Sequence, residues 1–221
     1  MHRTHKLPVA ALLAFILLSG MSRGEWKMPI IQIDPNQPRP RVACTPEELA
    51  RLRAAWKGEG AEQKVLAAAV ARADAHLKKP VEYPPRGGQH NQWYQCDKCQ
   101  MGLKTLSDTQ HQCPKCNKIY TGEPYDDVIF NRTHGANLTA MREAAWAYAI
   151  TQDRKYAAYT RGILLGYAQR YMQYPLHSAN RAPADRMPRS SGRIDAQTLG
   201  EASKMTRDIA PAYDLIHDSD I

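Results

Sequence analysis

The sequence lacks an apolar run long enough to span a bilayer. Its most apolar stretch, residues 7–20, is 14 residues long, against the roughly 18–20 that a membrane helix needs. Cysteine is scarce. Five in 221 residues are too few for a disulfide scaffold of this size, and the number is odd. The biased compositions of collagen, disordered and multi-span membrane chains are missing too. The chain is 43% hydrophobic and 24% charged, as ordinary globular proteins are. Acidic residues fall short of basic ones, 22 against 30, which leaves a formal charge of +8. That excess invites a nucleic-acid or polyanion reading. The length suffices for one domain, or one and a half, with a sizeable core.

The apolar run follows a basic start that holds Arg3 and Lys6. It precedes Ser22, Arg23 and Gly24, which put small residues at the −3 and −1 positions of a cleavage site. This three-part pattern predicts a signal peptide over 1–24 and an exported protein, periplasmic or extracellular. An uncleaved N-terminal anchor is the alternative. No cysteine follows the run, so a lipoprotein anchor has no attachment site, and no membrane association is expected after cleavage. Removing 1–24 takes away Arg3, Lys6 and Arg23 and no acid, leaving +5. That modest excess suits an acidic substrate without demanding one.

Residues 25–44 carry four prolines and no helical period, so they read as an extended lead-in. With the first helices they make a region over 25–92. Thr45, Pro46 and Glu48 predict a helix start: an N-cap, a proline in the first turn and a capping box. Leu49, Leu52 and Trp56 follow at helical spacing, and Gly58 and Gly60 stop the helix. A second helix over about 61–79 places Leu66, Val70, Ala73 and Leu77 on one face. Residues 121–136 read as loop. Two helices follow, marked by Leu138, Met141, Ala145 and Tyr148, then by Tyr156, Tyr159, Ile163 and Tyr167. The short turn between them has Asp153 as N-cap, which predicts a helical hairpin. A basic loop over 172–195 leads to a last helix from Ala196, with Leu199, Met205, Ile209 and Tyr213 inward. Pro211 is expected to kink it. Hairpins with one apolar face each need further units or a cap. The region 121–221 is therefore expected to be a truncated array, the N-terminal part of a longer protein. A short complete protein with a fraying last helix is the alternative.

Between these regions, over 93–120, lie Cys96 and Cys99, then Cys113 and Cys116. Two C-x2-C pairs predict a closed four-cysteine shell around a structural Zn2+, since four thiolates leave no open position for chemistry. Paired disulfides are the alternative in an oxidising compartment. Zinc with four thiolates carries −2, which would bring the charge to about +3. Cys44 is left over as a buried or free thiol. A zinc ribbon also raises nucleic-acid binding. The signal peptide and the want of interleaved aromatic and basic residues in the ribbon argue against that partner.

The run from Cys113 through GEPYD (122–126), then AWAYAITQDRKY (145–156), QTLGEA (197–202) and AYDLI (212–216) resembles the N-terminal region of heparinase II/III-like and alginate-lyase-like polysaccharide lyases. The resemblance covers most of 45–221. It implies an all-α fold, an incomplete (α/α) toroid of helical hairpins with a small inserted four-cysteine zinc ribbon. It implies an enzyme that cleaves uronic-acid polysaccharides by β-elimination, with Tyr and His as base and acid, and an acidic polysaccharide as partner. In such lyases the Asn-His segment and catalytic Tyr follow the region matched here, and 197–221 holds no Asn-His pair. The principal catalytic residues are therefore expected beyond Ile221. A zinc-stapled, non-catalytic module that binds glycan or protein is the alternative.

The remaining candidates are substrate contacts. Gln197 and Glu201 lie one turn apart and could line a cleft, or form an ordinary solvated helix start. His134 forms a polar cluster with Asn131 and Arg132, more readily explained as a loop capping the next helix. Tyr213 could reach a cleft, although tyrosines at helical spacing are usually core. The same applies to Tyr148, Tyr156, Tyr159, Tyr167, Tyr171 and Tyr174. Arg181, Arg186, Arg189 and Arg193 could hold a polyanion or form a solvated face. Asn131 and Asn137 begin glycosylation sequons, which matter only in a glycosylating secretory pathway.

Overall fold

Thr45 opens the first helix as its sequence predicts. Its Oγ1 accepts the Glu48 N–H at 3.2 Å and Glu48 Oε2 accepts the Thr45 N–H at 2.9 Å, the reciprocal pair of a capping box. Helix α1 (Pro46–Lys57) then runs to Gly58, and α2 (Ala61–Leu77) starts after Gly60, whose φ of 108° excludes most side chains. The computed structural model describes Asp34 and residues 37–221. The expected signal peptide and most of the lead-in lie outside the described residues. Among the described residues no helix is long and apolar enough to cross a membrane.

The ribbon follows α2. Strands β1 (Lys104–Ser107), β2 (Gln110–Gln112) and β3 (Ile119–Tyr120) form an antiparallel meander in the order β1-β2-β3. Its registers pair Lys104 with Gln112 and His111 with Tyr120. So small a sheet cannot bury enough apolar surface alone. It leans on the next helix, where Tyr94, Leu103 and Tyr120 share a core with Val128 and Ile129.

That helix, α3 (Tyr125–Thr151), is the axis of the fold. Helices α1, α2 and α4 (Arg154–Arg170) and the last helix all pack on it. Ala140, Ala144, Ala145, Ala147 and Ala149 are all buried on it, and short side chains let neighbouring helices approach closely. Leu138, Met141 and Ala145 join Ile163, Tyr167, Leu215 and Ile216 in the main core. The link to α4 is as tight as expected. Gln152 takes a left-handed φ of 62°, and Asp153 Oδ1 accepts the Lys155 N–H at 3.1 Å.

Two expectations are corrected. Residues 121–136 are not mostly loop, because α3 begins at Tyr125. Asp126 and Asp127 sit in its first turn, where carboxylates suit the helix dipole. The cluster of Asn131, Arg132 and His134, read as a capping loop, is helical, and Gly135 beside it costs about 1 kcal/mol relative to alanine. Burial of Val128, Ile129 and His134 on the same turns offsets it.

The last helix is continuous but not regular. It comprises α5 (Thr198–Ser203), a π-helical segment (Lys204–Ile209) and α6 (Ala210–Ile216). Proline at 211 has no N–H and its ring crowds the preceding turn. The turn widens instead, and the Ala210 N–H bonds to the Met205 carbonyl. This shifts the helix phase. Leu199 is 81% exposed and Tyr213 is 51% exposed, not inward, while Met205 and Ile209 do reach the core. The buried face also carries three acids, Glu201, Asp208 and Asp214.

Candidate metal centre and buried polar junction

The two cysteine pairs form near-identical knuckles. In the first, the Cys96 N–H donates to the Met101 carbonyl at 2.8 Å and the Gln100 N–H to the Cys96 carbonyl at 2.9 Å. In the second, the Cys113 N–H donates to the Lys118 carbonyl at 2.9 Å and the Asn117 N–H to the Cys113 carbonyl at 3.0 Å. Gln100 and Asn117, each just after its pair, take left-handed φ values of 55° and 60°. These turns bring all four sulfurs within 4.8 Å of one another. Cys96 Sγ and Cys116 Sγ lie 3.8 Å apart. A disulfide needs about 2.05 Å. A tetrahedron with metal–sulfur bonds of about 2.3 Å has edges of about 3.8 Å. The four cysteines thus fit a bound metal ion, and Cys44 is not among them.

Groups around Cys96 favour its thiolate, whereas burial and the neighbouring sulfurs push Cys99 up to about 12. The Cys99 N–H donates to Cys96 Sγ at 3.3 Å and the Tyr120 hydroxyl donates to it at 3.1 Å. The Tyr120 bond pulls the Cys96 thiol down to about 6. The same Tyr120 proton is shared with the Asp97 carboxylate, which Lys118 approaches at 2.9 Å. These two partners hold Asp97 down at about 2. Cys44 is half-buried, and burial pushes its thiol up.

No pattern in the sequence marks the clamp that joins ribbon to α3. His111, fully buried, contacts the Tyr94 hydroxyl through Nδ1 at 2.8 Å and Asp126 Oδ1 through Nε2 at 3.0 Å. Its position two residues before Cys113 carries no signal of its own, because its partners are distant in sequence.

A second polar junction lies on the same helix. His134 is fully buried, and burial pulls it down to about 4, so it is neutral at pH 7. Nε2 lies 3.0 Å from the Arg86 carbonyl and Nδ1 lies 2.9 Å from the Tyr167 hydroxyl. The carbonyl can only accept, so the network assigns the proton to Nε2. Tyr167 then donates to Nδ1, and Asn137 Nδ2 donates to Tyr167 at 3.4 Å and to the Glu82 carbonyl at 2.7 Å. Nearby, Arg86 Nη2 meets the buried Asp127 at 2.6 Å. Burial raises the Asp127 carboxyl despite that guanidinium. Gly88 lies flat on α3, where a Cβ would fall 2.3 Å from Asn131 Cα. Beside it, Asn131 Oδ1 is buried without a hydrogen-bond partner among the described residues.

The substrate candidates do not converge. The Glu201 carboxylate turns into the loop before its helix and accepts N–H groups from Arg193, Ile194 and Asp195 at 2.8–3.3 Å. Gln197 is half-buried, and its carbonyl accepts the Glu201 N–H at 2.8 Å. Tyr213 stands half-exposed, edge-on to His217. It lines an apolar cavity of about 390 Å³ with Leu164, Tyr167, Tyr171, Met205 and Ile209, without Gln197, Glu201 or His134. His134 is buried in a helix and does not belong to a capping loop. Of the basic loop, Arg193 donates to the carbonyls of Met172 and Tyr174 and Arg186 pairs with Asp185.

No protein-family model matches the chain. Over 85 residues, 38% of its length, it is 34% identical to an exo-oligoalginate lyase of Saccharophagus degradans. The match covers 11% of that lyase. The chain is thus alginate-lyase-like over part of its length, and spans a small fraction of that relative.

Proposed function

We propose that this chain is the N-terminal toroid portion of an exported polysaccharide lyase that cleaves uronic-acid polysaccharides, with Zn2+ in the four-cysteine ribbon. The partial identity to an exo-oligoalginate lyase carries this reading. The stacking of α1, α2 and α4 on α3 supports it, because a toroid is built from such hairpins. The zinc role is structural. Four thiolates fill the ion's shell, and the metal closes a sheet too small to hold itself.

The reaction is β-elimination. A base removes the uronate C5 proton, the electron pair forms the C4–C5 double bond, and the C4–O bond breaks. An acid delivers a proton to the leaving oxygen. The uronate carboxylate must be neutralised by donors or cations for the C5 proton to leave. Among the candidate residues, His134 and Glu201 are tied up in buried hydrogen bonds. This fits catalytic groups supplied by sequence after Ile221. It equally favours the second reading, a non-catalytic glycan-binding module.

The test is incubation with alginate and heparan-type polyuronates, following the ultraviolet absorbance of the unsaturated product. This chain alone should give little or none. Robust turnover would show that it holds its own base and acid.

A further inference from the structure

We propose that the surface where residues 86–94, the exposed flank of α3 and the basic loop 176–193 meet is a platform for a polyuronate chain, carried by Arg132, Arg181 and Trp93. This rests on the polyuronate reading above and adds to it a site and its residues.

Three hydrogen bonds fix the segments to one another. The Gly88 N–H donates to the Ile194 carbonyl at 2.9 Å, Gln89 Nε2 to the Ser178 carbonyl at 2.8 Å and Trp93 Nε1 to the Ala179 carbonyl at 2.8 Å. Trp93 is therefore held in place while only half-buried. The Arg181 guanidinium sits 5.6 Å from the Trp93 ring centre. Its backbone takes a left-handed φ of 56°, which a non-glycine residue rarely adopts. Ser178 holds it there, accepting the Arg181 N–H at 3.0 Å and the Ala182 N–H at 3.1 Å. The Arg132 guanidinium lies 4.6 Å from the Tyr94 ring centre and donates to Asn91 Oδ1 at 2.9 Å.

Several other arginines of this fold are committed. Arg39 pairs with Asp214, Arg86 with Asp127, and Arg142 and Arg207 with Asp208. Arg132 and Arg181 are exposed and, among the described residues, carry no ion pair. The segments 86–94, 129–135 and 176–193 together hold six arginines, of which Arg86 pairs with Asp127 and Arg186 with Asp185. A carboxylate polymer meets this charge. Guanidinium forks take carboxylates two-pronged, and the apolar face of a pyranose packs on an aromatic ring.

The experiment titrates the full chain with an oligouronate, an uncharged oligosaccharide of equal length and single-stranded DNA, read by calorimetry and tryptophan fluorescence. Wild type should bind the oligouronate, more weakly as salt rises, and the other two poorly. R132Q/R181Q should weaken binding about tenfold or more, R132K/R181K less, and R161Q on the exposed face of α4 by under about twofold. W93F should lose the fluorescence change. Equal metal content and thermal midpoint separate lost binding from lost fold. If R132Q/R181Q binds as wild type does, the platform is wrong and the polyuronate reading stands. If wild type binds no oligouronate, the reading itself falls. Equal binding of DNA through the same arginines would overturn the assignment to a sugar acid.

Discussion

Asp214 on α6 holds Val42, 172 residues away in sequence, by a 2.8 Å hydrogen bond from the Val42 N–H to Oδ2. The same oxygen accepts the N–H groups of Arg41 and Ala43, and Oδ1 meets Arg39 at 3.0 Å. Glu201, thirteen residues earlier in the same helix, holds the backbone of 193–195 in the same way. Two carboxylates on one helix thus pin two loops that have no regular structure of their own. Burial raises the Asp214 carboxyl, but the three N–H groups and Arg39 outweigh it and leave it below the ordinary value. Its contribution to stability is then present above the unfolded carboxylate range near pH 4 and is lost as pH falls through the lower folded value. Asp214→Ala should cost about 3 kcal/mol in urea unfolding at pH 7. It should also flatten the acid limb below pH 4. An unchanged midpoint at pH 7 would show that the anchor carries no stability.

His134 gives a second pH signature at higher pH. Its folded value near 4 lies below the unfolded 6.5, so the unfolded chain binds the extra proton between them. Stability contributed this way is full above about pH 6.5 and falls as pH drops through 4, by roughly 3 kcal/mol in all. Urea midpoints at pH 5 and 7 in wild type and His134→Leu measure it. The variant should be less stable at pH 7, with Tyr167 and the Arg86 carbonyl left unpaired, and should show a smaller difference between the two pH values. An equal difference in both proteins would assign the proton elsewhere.

Gly88→Ala tests the close approach to α3. A methyl group 2.3 Å from Asn131 Cα must push backbone from backbone, at a cost of roughly 2–4 kcal/mol. Gly102→Ala, with open space around its Cβ, should cost less than about 1 kcal/mol. Thermal unfolding of the pair should separate them clearly.

The four-cysteine site makes its own prediction. Elemental analysis should find about one zinc per chain. Cys113→Ser should lose the metal and loosen the ribbon, and Cys44→Ser should keep it. Metal-free protein with Cys96 and Cys99 joined as a disulfide would contradict the site.

What the sequence discloses is local. The Thr45 capping box, the Asp153 N-cap and the doubled cysteine knuckles each close within a few residues, so spacing alone exposes them. The start of α3 is hidden because Asn131, Thr133 and Gly135 prefer turns, and their helical state is set by distant partners such as Gly88. The inward face of the last helix is hidden for two reasons. An apolar pattern is the wrong guide where Glu201, Asp208 and Asp214 bury themselves against backbone N–H groups and arginines. Pro211 also turns part of the helix into a π segment and shifts which residues face in. His111 shows the same limit at the candidate site, since its partners Tyr94 and Asp126 lie far along the chain.

The most direct test of the lyase reading joins this chain to whatever sequence continues in frame after Ile221, and mixes that polypeptide with oligoalginate. An ultraviolet absorbance that grows with time, from unsaturated uronate at new chain ends, is the expected result. No growth with oligoalginate or any other polyuronate, from protein that is folded and carries its metal, would contradict it.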